Sequence, residues 1–166
     1  MSKTRGSAAV NRKSSHSKRS TARARRTQVD RSINPPTILI VDDDASLLRS
    51  LEMLLSISGF RVQTFAKPSE LLASDVPHSN ACLIVDINLP ELNGFRLCQM
   101  LKSSGSRLPA ILITGRSDPA VRQLTEESGA VALLFKPFEE QELLDAISRA
   151  LALFSHEPLD NSIETR

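Results

Sequence analysis

From Thr37 onward the chain alternates between two textures. Short apolar runs at Ile38–Val41, Val62–Phe65, Cys82–Val85, Ile111–Ile113 and Val131–Leu134 are separated by longer stretches whose apolar residues recur at helical spacing. Three of the runs are continuously apolar, which predicts strands covered on both faces, as in a parallel sheet. Leu47, Leu48, Leu51, Leu54 and Leu55 define one face of a first helix that stops at Ser58-Gly59. A second helix, Pro68–Ala73, opens on a proline at a first-turn position. The third carries Leu97, Met100 and Leu101 and ends before Gly105, and the fourth runs from Pro119 to Ser128 and stops at Gly129. The last, Glu139 to Phe154, is expected to bury Leu143, Leu144, Ile147, Ala150, Leu151 and Phe154. Strand and helix thus alternate five times. Right-handed crossovers fold such a chain into an α/β doubly wound sandwich around a parallel sheet.

Charge divides the chain differently. Residues 1–36 hold ten Lys and Arg against one acid, Asp30, a net charge of +9; residues 37–166 hold eleven against eighteen, a net charge of −7. The overall +2 therefore describes neither part. The first 36 residues lack an apolar period and cannot offset the entropy of ordering, so 1–36 is expected to be a disordered basic arm. Residues 37–154 form one domain, and 155–166 a short polar tail. No run approaches the roughly 18 apolar residues of a membrane span. The basic start lacks the apolar core of a signal peptide, which points to a cytoplasmic protein. Cys82 and Cys98, both in apolar stretches, read as reduced, buried thiols. The arm's charge would suit a nucleic-acid backbone. However, it has no aromatic residue to stack on bases, which argues against nucleic acid as a partner.

Ligands of open parallel sheets bind beyond the carboxyl ends of the strands. There the first strand runs into Asp42-Asp43-Asp44 and the third into Asp86; the fourth ends at Thr114, and Lys136 follows the fifth. Clustered carboxylates repel one another and need a counter-charge. A hard divalent cation such as Mg²⁺, which prefers oxygen ligands, suits them. Asp44 could equally serve as a helix N-cap. Gly94 is expected to permit a tight turn before the third helix, with Pro90 and Asn93 shaping the same loop. Phe135 and Phe138, which flank Lys136, read as packing residues. His16, His78 and His156 lie in polar segments and read as solvated side chains rather than phosphodonors or metal ligands.

Four segments carry a family resemblance: Ile38-Leu-Ile-Val-Asp-Asp-Asp44, Leu83-Ile-Val-Asp-Ile-Asn-Leu-Pro-Glu-Leu-Asn-Gly94, Ile111-Leu-Ile-Thr-Gly115 and Leu134-Phe-Lys-Pro-Phe138. In this order and spacing, residues 37–154 resemble a receiver domain of two-component response regulators, of the FixJ-like type. The resemblance implies a flavodoxin-like, five-stranded sheet of order 2-1-3-4-5. It implies that Asp86 accepts a phosphoryl group from a phosphohistidine of a sensor histidine kinase. Asp43, Asp86 and the backbone carbonyl of Asn88 would hold Mg²⁺ directly, and Asp42 through water. Lys136 would pair with Asp86 or its phosphoryl group, and Thr114 would move to donate to a phosphoryl oxygen. The Lys136–Pro137 bond would be cis.

The same resemblance places the output face on the fourth helix, fifth strand and fifth helix, a surface suited to a homodimer. Only 12 residues follow Phe154, too few for a helix-turn-helix. The expected output is therefore a protein contact, relay to a phosphotransferase, or competition for a kinase as a phosphate sink, not DNA binding. Leu133 departs from the pattern: similar domains carry an aromatic there, which turns inward as the threonine moves. Arg116 is a candidate modifier of phosphoryl lifetime. A rival class is a haloacid-dehalogenase-like phosphohydrolase with Asp42 as nucleophile. That reading leaves Asp86 without a role and the chain without room for a substrate-gating cap.

Overall fold

The computed structural model describes residues 34–116 and 119–153. The five strands are β1 (Thr37–Val41), β2 (Arg61–Phe65), β3 (Ala81–Asp86), β4 (Ala110–Thr114) and β5 (Ala132–Phe135). They form one sheet of order β2-β1-β3-β4-β5 in which every pairing is parallel. Five helices alternate with them: α1 (Ala45–Ile57), α2 (Pro68–Leu72), α3 (Gly94–Ser103), α4 (Pro119–Ser128) and α5 (Glu140–Ala152). This is the doubly wound architecture that the apolar pattern and the resemblance predict.

The period-two alternation of side chains divides the core into two layers. Ile38, Ile40, Cys82, Ile84, Ile111 and Ile113 face α1 and α5, where they meet Leu51, Leu55, Leu143 and Ile147. Leu39, Val41, Leu83, Val85 and Leu112 face the other way, toward Leu71 of α2, Leu97 of α3 and Val121 of α4. Strands β1, β3 and β4 are buried along their whole length, whereas the edge strands β2 and β5 stay partly exposed. Full burial of each large aliphatic side chain contributes about 1.5–3 kcal/mol, so the three central strands hold the sheet together. None of the described helices is long and apolar enough to cross a membrane.

Element ends differ from the pattern by a residue or two. Strand β5 runs to Phe135 because the ladder with β4 continues that far, pairing Thr114 with Phe135. Val131 precedes the strand, its N–H donating to the Ala110 carbonyl at 2.8 Å. Helix α5 starts at Glu140, and the Glu142 carboxylate caps the preceding Glu139 N–H at 3.0 Å. Of the residues expected in its core face, Leu143, Ile147 and Ala150 are buried and Leu144 and Leu151 partly so; Ala146 joins them. Phe154, the tail and residues 1–33 lie outside the described residues. Residues 34–36, grouped with the arm by composition, run against the sheet. Asn80 Nδ2 donates to the Asn34 carbonyl at 3.0 Å and the Arg61 N–H to the Pro36 carbonyl at 2.9 Å.

Candidate functional site

The carboxyl ends of β1, β3 and β4 converge beside the segment that follows β5. Asp42 is fully buried and Asp86 is 7% exposed. Lys136 reaches between them, its Nζ donating to Asp42 Oδ2 at 2.7 Å and to Asp86 Oδ2 at 3.0 Å. The remaining oxygens are held by backbone: Asp42 Oδ1 accepts from the Asp44 N–H at 2.8 Å, and Asp86 Oδ1 from the Asn88 N–H at 3.0 Å. Thr114 is fully buried and its Oγ1 accepts from Asn88 Nδ2 and from the Arg116 N–H, both at 3.1 Å. The Lys136 N–H donates to the Thr114 carbonyl at 2.7 Å, and the Lys136–Pro137 peptide is cis, as expected.

Burial pushes the Asp42 carboxyl above its ordinary range, outweighing the Lys136 ammonium and the Asp44 N–H, which pull it down. For Lys136, burial works against the charge, but the hydrogen bonds to Asp42 and Asp86 prevail and raise its pKa. The lysine is therefore held as a cation between two acids. Asp43 is exposed, and oxygens of Asp42, Asp43 and Asp86 lie within 4.8 Å of one another. Three carboxylates against one ammonium leave two negative charges, a hard-oxygen donor set suited to a divalent cation. Asp44 stands apart from this set. Its Oδ1 caps α1 by accepting from the Ser46 and Leu47 N–H groups at 2.8 and 3.2 Å, which hold its carboxyl below the usual range.

The loop from β3 to α3 is built close to Asp86. Gly94 opens α3, and a Cβ there would lie 2.4 Å from the Asp86 carbonyl oxygen. The glycine is thus required by close approach of the helix to the β3 backbone, not by the tight turn expected from sequence; its backbone shows no positive φ. Asn93 caps the helix, its Oδ1 accepting from the Phe95 N–H at 2.8 Å. Across the site, Glu91 accepts from Ser69 Oγ at 3.1 Å and pairs with Lys67 at 3.5 Å, fastening this loop to the start of α2.

Asp44 aside, the residues singled out around the strand ends are in one place: Asp42, Asp43, Asp86, Asn88, Thr114 and Lys136. Two connections are not visible in the sequence. The Asn88 side chain, and not only its carbonyl, belongs to the site, bonding to Thr114, and Arg122 of α4 lies over the Phe135 ring. Neither leaves a sequence signal, because each pairs residues from separate elements. His78 is exposed, and His16 and His156 lie outside the described residues. Both thiols are buried and free, in opposite core layers, so the sheet lies between them. Asp42 has no exposed surface and both its oxygens are engaged, a poor setting for the nucleophile of a phosphohydrolase.

Residues 38–148 match the response regulator receiver domain, and the chain belongs to that family. The response regulator protein TodT of Pseudomonas putida is 39% identical over 117 residues, which make up 70% of this chain and 51% of TodT. Among solved structures, the response regulator StyR superposes with a TM-score of 0.68 at 37% identity, covering 73% of this chain and 61% of StyR. FixJ-N superposes with a TM-score of 0.66 at 31% identity, covering 76% and 98%. The chain spans about half the length of the curated relatives it matches. The chain is therefore a receiver domain of response regulators, a signalling domain, and the phosphohydrolase alternative is not favoured.

Proposed function

We propose that the chain accepts a phosphoryl group on Asp86 from a phosphohistidine of a sensor histidine kinase. The observation that carries this reading is the Lys136 ammonium placed between Asp42 and Asp86, with Asp86 the more accessible of the two. A carboxylate oxygen of Asp86 attacks phosphorus and forms the P–O bond of an acyl phosphate. The P–N bond to the donor histidine breaks, and the imidazole leaves with the electron pair and takes up a proton. Such a transfer depends mainly on positioning and charge neutralisation. Lys136 supplies one positive charge, and the Thr114 hydroxyl is a donor for a phosphoryl oxygen. Mg²⁺, held by Asp43, Asp86 and the Asn88 carbonyl and through water by Asp42, would supply charge neutralisation at the phosphoryl oxygens. The product is a signalling state rather than a released compound. A cytoplasmic setting and a downstream protein or phosphotransferase partner fit that role, with a homodimer through α4, β5 and α5 as one form of output.

Incubation with acetyl phosphate and Mg²⁺, followed by mass spectrometry after trapping of the acyl phosphate, tests the assignment. One phosphoryl group on Asp86 is expected, absent from Asp86→Asn and strongly reduced when Mg²⁺ is chelated. Modification of Asp42 instead, or normal labelling of Asp86→Asn, would overturn it.

A further inference from the structure

We infer that Phe135, clasped by Arg122, ties the phosphoacceptor site to α4 in this chain; the inference rests on the reading of Asp86 given above. Phe135 adjoins the site on two sides. It is the β5 partner of Thr114 in the register, and the next residue is Lys136. The Lys136 N–H donates to the Thr114 carbonyl at 2.7 Å while its ammonium spans Asp42 and Asp86. A displacement of Thr114 or of the lysine therefore reaches the Phe135 backbone with no intervening residue.

The side chain carries the connection outward. Leu133 packs into the core layer that contains Val121 of α4, and residues two apart on a strand share a face, so Phe135 points to the same side. There the Arg122 guanidinium stands 5.1 Å from the ring centroid, within reach of a cation–π contact. Arg122 is exposed and sits next to the buried Val121, so α4 meets the sheet through an apolar anchor and, beside it, through a polar clasp. Phe138, the other aromatic flanking Lys136, packs against the opposite layer with α1 and α5 and cannot serve α4. Leu133 is already packed against its core layer as a short aliphatic and offers no ring to reorient. The aromatic contact between site and helix has thus moved two residues along β5, to the position level with Thr114. An exposed cation–π contact is weak, which suits an element that must shift between two arrangements.

The test uses the full chain and beryllofluoride with Mg²⁺ as a stable mimic of the phosphoryl group. Hydrogen exchange of the α4 segment 119–128 is followed by mass spectrometry with and without the mimic. The unmodified chain is expected to change its α4 exchange rates by about fivefold or more. Arg122→Gln should reduce that response to less than about twofold, while acetyl phosphate still labels Asp86 at an unchanged rate. Arg122→Lys, which keeps a cation, and Phe135→Tyr, which keeps the ring, should preserve the response, whereas Phe135→Leu, which keeps apolar bulk without the ring, should lose it, as a merely structural role for bulk would not require. A full α4 response in Arg122→Gln would overturn the inference, as would an unresponsive α4 in an unmodified chain that is labelled. If the unmodified chain takes no label on Asp86, the phosphoacceptor reading fails first and the inference falls with it.

Discussion

The two acceptor positions of the Thr114 hydroxyl are taken by Asn88 Nδ2 and the Arg116 N–H. A hydroxyl offers one proton and two lone pairs, so the proton remains to be donated, and Asn88 helps to set its direction. The same residue donates its backbone N–H to Asp86, bracing acceptor and donor together. Asn88→Ala keeps the backbone and removes only the amide. A net hydrogen bond of about 1 kcal/mol implies about a fivefold drop in the rate of Asp86 labelling by acetyl phosphate. In a Thr114→Ala background the same substitution should change the rate little, and additive losses in the two variants would refute the coupling. Gly94 provides a second case. Alanine is worth about 1 kcal/mol over glycine inside a helix, but overpacking against a rigid neighbour costs about 1–3 kcal/mol. The neighbour here is the Asp86 carbonyl oxygen, which cannot rotate away, so the clash prevails. Gly94→Ala should lower stability to urea and slow Asp86 labelling as α3 is pushed off β3.

At the scale of elements, the start of α3 shows what sequence can and cannot reveal. Asn93 and Gly94 were legible as a loop-to-helix boundary by residue type, yet their physical reasons were not. The cap depends on Asn93 Oδ1 meeting the Phe95 N–H, and the glycine on a carbonyl from another element. Asn93→Ala should cost about 1 kcal/mol in urea denaturation and Asn93→Gly only a few tenths. Equal losses in the two variants would show that the cap contributes nothing. Elsewhere, continuous apolar runs marked β1, β3 and β4 because burial on both faces of a parallel sheet demands them, and the partly exposed edge strands β2 and β5 need less. The run Val131–Phe135 is apolar throughout, so hydrophobicity alone does not set the ends of β5; the ladder that pairs Thr114 with Phe135 does. The acids, threonine and lysine were legible because chemistry restricts the residue type at each strand end. The contacts Asn88–Thr114 and Arg122–Phe135 were not, because many residue types would fit either position and only the folded chain brings the pairs together.

For the whole molecule, the sheet is a partition with one thiol on each side: Cys82 of β3 lies beneath α1 and α5, and Cys98 lies on the buried face of α3 in the other layer. Burial raises the thiol of Cys82 to about 12 and that of Cys98 to about 11, against 9.0 for a free thiol. A thiol is neutral when protonated, so the folded chain retains both protons at a pH where the unfolded chain releases them. The stabilisation is fully present below pH 9.0 and declines as pH rises, until about 11 for Cys98 and about 12 for Cys82. Each thiol should remove about 1.4 kcal/mol per pH unit well inside that window. The chain contains no tyrosine, and the raised pKa of Lys136 makes itself felt only beyond the ordinary 10.5, so thiol effects lead the loss just above pH 9. Urea midpoints measured from pH 8 to 10.5 should be flat at first and then fall. Cys82→Ala, whatever its baseline stability, should lose about half of the slope and Cys98→Ala a comparable share. Iodoacetamide at pH 8 should modify neither thiol in the native chain and both in urea. A Cys82→Ala variant with an undiminished alkaline slope, or rapid native alkylation, would show that the sheet does not hold these protons in place.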